Sequence, residues 1–233
     1  MEYRDLRKEP KGWETWEDQF QWESAEELFQ AQDMPEKRLL PRDIPDLRTS
    51  VYLPKKVSLV AKVPPAESED VAKMMSEEPH EDLTAQFKDK IRGVLDPKEQ
   101  NIEILPAPGR GGIAIVFDFR REVIGTLELD VSAPPDAIID VGYGEELHHQ
   151  RLTVYRPPSP PMDYRFADRY ILRAGRQTVG TVLHERGFRM VQVVLRNFSA
   201  PVTIHSVQAV DRRYPYPNQG QFVCNDVLLN RIW

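Results

Sequence analysis

From Gly112 onward, short apolar stretches alternate with turn residues at roughly ten-residue spacing, and no helical period intervenes until the last dozen positions. That pattern constrains the fold more than any other feature of the chain. Ile113–Phe119 is a short apolar run flanked by glycine and charge, as expected of a buried strand. Glu122–Val131 alternates, with Val123, Leu127, Leu129 and Val131 on one face and Thr126, Glu128 and Asp130 on the other. Gly125 interrupts the inner row and predicts a bulge or a close backbone approach. After a turn at Ala133–Asp136, Ile139, Val141 and Tyr143 share a face of a third strand. Tyr170–Arg173, Phe188–Leu195 and Pro201–Val210 follow, with turns at Ala174-Gly175 and Asn197–Pro201 between them. The expected fold is mainly β, an antiparallel sandwich or jelly roll, with Phe117, Leu127, Leu129, Val141, Leu172, Val193 and Ile204 on its inner face. Arg156–Pro161 is too rich in proline for a ladder and reads as a loop.

The first part of the chain differs in composition. Residues 1–104 carry a net charge of −8, while residues 105–233 carry +2, and all the lysines lie before position 99. Such a step suggests separate units, 1–105, 106–217 and 218–233, with the first boundary at Pro106–Gly112. The N-terminal segment reads as mixed and partly helical. Ser24–Glu27 fits a capping box before Leu28 and Phe29, and Met34-Pro35 would end that helix. Leu83, Phe87, Ile91 and Leu95 make one stripe of a second helix, between Pro79 and Asp96-Pro97. Val51–Val63 reads as one edge strand despite Pro54, and Pro64–Asp82 as a solvated acidic connection. Trp13, Trp16 and Trp22 are read as packing a local core in preference to a sugar-stacking platform. At the other end, Asn225 can cap a short helix carrying Val227, Leu228 and Ile232, which has the character of the opening of a further helical unit.

The net charge of −6 argues against a sequence-independent nucleic-acid binder. One cysteine rules out an intramolecular disulfide and a cysteine-built zinc site. The N-terminus is charged and lacks the apolar core of a signal peptide, and no stretch approaches the ~20 apolar residues of a membrane span. A cytoplasmic protein with no membrane partner, cofactor or metal is therefore the expectation. Asp118, Asp140, Glu145 and Glu146 are the carboxylates nearest strand ends, but no spacing among them selects an acid–base pair. His148-His149 lacks a third ligand, and no serine shows an elbow or a base partner. Among the arginines at 165, 169, 173 and 176, Arg169 and Arg173 are expected to form cross-strand pairs with Asp130 or Asp140 on an exposed sheet face. No catalytic residue is assigned. Candidates for carbohydrate contact are Tyr143, Glu145 and His148, with Tyr155 and Tyr164 also near strand ends.

Read as a set, Asp118–Val131, Val141–Leu147, Asp168–Leu172, Arg186–Gln192 and Phe222–Trp233 resemble, in order, segments of bacterial α-L-rhamnosidases of glycoside hydrolase family 78; Leu40–Pro45 is similar to a short linker upstream. The resemblance implies a concanavalin-like β-sandwich over 106–217 and the start of a helical (α/α)₆ barrel at about Asn225. It places the catalytic acid and base in that barrel, so the chain is expected to be the non-catalytic accessory part of such an enzyme, packing on the barrel and inactive alone. A rhamnose-containing glycan would be met through the parent enzyme. The alternative is a stand-alone carbohydrate-binding β-sandwich module. Two departures stand out. Arg120 replaces a glycine usual in the family, so the turn there is expected to differ, and Met190 replaces a tyrosine.

Overall fold

The computed structural model describes residues 2–10, 22–28, 41–66, 68–78, 80–87, 101–106, 111–148, 151–152, 155–159, 162–216 and 220–232. Its organising element is one strand, β6 (Gly112–Ala133), formed where two separate strands were expected. Its first half pairs with β3 (Lys56–Val63) and with β14 (Arg186–Arg196), whose outer neighbour is β7 (Ile138–Gly144). β12 (Ala167–Ile171) then adds to β7, and β1 (Tyr3–Asp5) adds to β12 in parallel. Its second half pairs with β13 (Gly175–Gly180) and β15 (Val202–Arg213), and β15 takes β2 (Arg48–Tyr52) and β5 (Ile102–Ile104) on its far side. β4 (Glu81–Asp82) edges β3. The result is a larger and a smaller layer joined through β6.

The strand changes layer at Arg120, whose φ is 58°. A left-handed residue redirects a strand sharply, and its neighbours shift register at the same level, between Val57 and Leu59 on β3 and between Phe188 and Met190 on β14. Arg120 thus takes a backbone angle that glycine adopts readily. Asp118 holds the bend by accepting from the Arg120 amide at 2.7 Å. At Gly125 a side-chain carbon would strike the Val210 carbonyl, which is the close approach expected there.

Between the layers lies one apolar core. It holds Phe117, Leu127, Leu129, Val141, Leu172, Val193 and Ile204, together with Val123 and Val131, as the alternation predicts. Phe119, Phe188 and Tyr143 close its bend end, with ring centroids 5.8 and 5.4 Å apart. A second cluster covers the outer face of the larger layer. There α1 (Val71–Glu77) buries Val71, Ala72 and Met75 against Ala114, Val116 and Val194. This corrects the reading of 64–82 as a solvated connection: three apolar residues among acids suffice for two turns when a sheet face waits beneath them. Asp70 caps the helix by accepting from the Lys73 amide.

Other expectations need correction. Val51–Val63 is two strands, with Pro54 between β2 and β3, because proline lacks the N–H that a continuous ladder needs. Residues 22–28 form no helix, and Trp22 is 59% exposed rather than in a core; Trp13, Trp16 and Met34-Pro35 lie outside the described residues. Leu83–Phe87 is a turn packed on the core, and the rest of that expected helix also lies outside them. The proline-rich stretch is not a loop but a ribbon of β10 (Tyr155–Ser159) and β11 (Met162–Arg165), where prolines are tolerated because both strands are edges. β8 (Leu147–His148) and β9 (Arg151–Leu152) form a second small ribbon. At the far end, α2 (Val227–Ile232) is capped by Asp226 rather than Asn225, through the Leu228 and Leu229 amides. Residues 1–105 supply β1 to β5, and all five are bonded into the same sheet system as β6.

Candidate functional site

Three of the motif segments meet at one place inside the sandwich. Alternation points Tyr143, Asp168 and Tyr170 inward from β7 and β12, and β14 brings Arg186 to them. Arg186 donates to Asp168 at 2.6 Å and sits 5.2 Å from the Tyr143 ring centroid. The Glu2 amide also donates to Asp168, at 2.6 Å, which ties β1 to the sheet edge. Burial, and then the neighbouring Tyr170 and Asp168, push the Tyr143 hydroxyl well above its ordinary range, so it stays protonated. Tyr143 is 1% exposed and packs on Phe188, so its ring cannot serve as a sugar platform.

On the other side of the same strands a charge chain is buried under α1. Asp140 accepts from Arg169 at 2.7 and 2.9 Å and from Arg196 at 3.0 Å. Arg196, 1% exposed, donates in turn to Glu78 at 2.7 Å and to the Pro64 carbonyl at 2.8 Å. The expected Arg169–Asp140 pair forms, but beneath the helix rather than on an exposed face. Arg176, not Arg173, takes Asp130. Asp118, also buried, is held by Arg189 at 3.0 and 3.1 Å. Buried carboxylates occupied by arginines in this way lock strands together and have no free oxygen poised for acid–base work.

Glu145 and Glu146 are exposed after β7. Partial desolvation and then the charge of Glu145 raise the pKa of Glu122. His148 lies in β8 opposite Arg151, and Tyr155 and Tyr164 lie in the β10–β11 ribbon; none of these is brought to Tyr143 by a described contact. An open groove of about 520 Å³ runs between Pro64-Pro65 and Lys73 and Met74 of α1.

Sequence reasoning missed a polar row on the outer face of the smaller layer. His205 on β15 pairs with Ser132 of β6 at 2.7 Å through Nε2 and with Asn101 beside β5 at 2.7 Å through Nδ1. The serine does have a histidine partner, 73 residues away in sequence. Distance in the chain hides such a pair, because no local motif marks it. The order of groups is that of a nucleophile, base and orienting amide. However, Ser132 is paired on both sides, with Arg176 of β13 and Thr203 of β15, so neighbouring strand amides serve the ladders and offer no oxyanion hole. Further along the row, Asp130 accepts from Arg176, and Glu128 accepts from Gln208 at 2.6 Å.

Two β layers continuous through one bent strand, tied across strands by buried arginine–carboxylate pairs, define a β-sandwich module. Residues 111–210 match the bacterial alpha-L-rhamnosidase concanavalin-like domain. Among solved structures the chain is similar to a rhamnosidase from Klebsiella oxytoca with rhamnose bound, at 16% identity and a TM-score of 0.51, over 81% of this chain and 34% of that one. That likeness supports the fold. It is also similar to the family 78 rhamnosidase of Bacillus sp. GL1, at 28% identity and a TM-score of 0.47, over 59% of this chain and 14% of that one. The α-L-rhamnosidase from Dictyoglumus thermophilum matches at 20% identity and a TM-score of 0.38, over 56% of this chain and 14% of that one. The chain therefore spans between 14% and 34% of the length of these enzymes. No curated protein gives a match.

Proposed function

We propose that this chain is the non-catalytic β-sandwich part of an α-L-rhamnosidase-like glycoside hydrolase and supports a helical catalytic barrel, of which 218–233 is the beginning. The observation that carries the reading is the family match over 111–210, taken with the state of the carboxylates in its motifs. Asp118 and Asp168 lie in those motifs and Asp140 directly precedes one; each is buried and bound by arginine, so these carboxylates work as structural locks. Hydrolysis of a terminal α-L-rhamnoside needs two carboxylates facing a sugar. In this reading the barrel supplies them, and the exposed apolar side chains of α2 pack within it.

The purified 233-residue chain, assayed on an aryl α-L-rhamnoside, should show no turnover above background. Turnover that disappears in Glu145→Gln or Glu122→Gln would place the reaction in the sandwich and overturn the proposal.

A further inference from the structure

The two layers are finished differently on their outsides. The larger layer's outer face is covered by α1 and Leu152. On the smaller layer, Thr126, Glu128, Asp130, Ser132, Thr203, His205 and Gln208 remain half-buried and polar. Glu128, Asp130 and Ser132 are two residues apart along β6, which sets successive rungs roughly 7 Å from each other. Each rung is tied to another strand: Glu128 to Gln208, Asp130 to Arg176, and Ser132 to His205 and Asn101. The rungs form one continuous strip across β13, β6, β15 and β5.

We propose that this strip binds a neutral saccharide, as an auxiliary contact for the glycan on which the parent enzyme acts; in this it rests on the glycoside-hydrolase reading above. The cross-strand bonds fix the orientation of each planar group and leave some of its polar atoms unused. Among the described residues, Glu128 Oε1, Gln208 Oε1, Arg176 Nη1 and Asn101 Nδ2 meet no protein partner. Sugar hydroxyls both donate and accept, so neighbouring hydroxyls suit an array that alternates fixed acceptors with fixed donors. Groups held rigid beforehand lose little freedom on binding. The charge selects further. Arg176 is neutralised by Asp130, while Glu128 faces only an amide, so the strip has a slight negative balance and repels uronic acids. A protein partner is disfavoured because the rungs lack the aromatic and apolar anchors that concentrate binding energy. Without a stacking ring, affinity should be in the millimolar range.

The test is titration of the ¹⁵N-labelled chain with L-rhamnose, with a neutral glucose tetrasaccharide and with trigalacturonic acid. At least one neutral sugar should shift the amides of 126–132, 176–178 and 203–208 with a millimolar dissociation constant, and trigalacturonic acid should bind less well. Glu128→Ala and His205→Ala should each weaken binding by about tenfold while the melting temperature stays within about 2 °C. Absence of shifts with both neutral sugars up to about 50 mM overturns the proposal. So do shifts confined to the groove beside α1, tighter binding of the uronate, or unchanged affinity in both variants. None of these results bears on the rhamnoside assay, which tests the accessory role separately.

Discussion

Asp140 serves two arginines at once, and both depend on it. Removing it leaves Arg196 buried with Glu78 and the Pro64 carbonyl, and strips Arg169 of its ion-pair partner. Asp140→Ala should therefore cost about 3–5 kcal/mol in denaturant unfolding, the usual penalty for stranding a buried charge. Asp118 makes a pH prediction. Burial pushes its carboxyl up, but the Arg189 guanidinium, the Arg120 amide and the charges of both arginines outweigh this and hold it below its ordinary range. Its folded pKa lies below the unfolded value of about 3.9, so its stabilisation is complete above that value. As pH falls below about 4 the unfolded state takes up the proton first, and the contribution fades until the folded pKa is passed. Asp118→Asn should flatten the acid limb of a stability–pH curve relative to the parent. The Arg120 position was conspicuous in the sequence as a departure, yet its consequence was not readable there. Side-chain identity does not fix φ when a buried carboxylate two residues back grips the amide.

At the scale of elements, the inner face of β6 was legible because period-two alternation survives any tertiary context that buries one side. Leu129→Ala should cost roughly 2–5 kcal/mol by chemical denaturation. Gly125→Ala, which forces a carbon against the Val210 carbonyl, should cost about 1–3 kcal/mol even though it adds apolar volume. The elements that escaped sequence reading share a cause: each is short and owes its existence to a neighbour. β1 has three residues and no pattern, and forms because β12 offers an open edge. α1 has seven residues, too few to be stable alone, and is held by Arg196 and the face below it. β13 follows a turn that was recognised, but its Gly-Arg-Gln-Thr-Val-Gly sequence has only two adjacent strand formers and a glycine at each end. The polar row was invisible for a related reason, since its members come from β6, β13, β15 and the residue before β5 and meet only in register.

For the molecule as a whole, α2 is the element least bound to the rest. None of its residues is buried, and Val227, Leu228 and Ile232 are each at least 65% exposed. With Phe222 and Val223 nearby, this is a patch of the kind that drives self-association. Deleting 223–233 should reduce light scattering of the concentrated chain and leave the melting temperature of the sandwich unchanged; a loss of several degrees would show that the segment braces the layers. The parallel pairing of Tyr3–Asp5 with Arg169–Ile171 has another consequence, for the order of events during synthesis. A ribosome adds about 5–20 residues per second, so roughly 8–30 s separate the two halves of that ladder. Throughout that interval the segment has no native partner, and β12, once made, presents a bare edge until the segment arrives. Closing the edge is therefore a late event, and a nascent chain stalled before residue 167 should be more vulnerable to chaperone capture and strand exchange than the finished one.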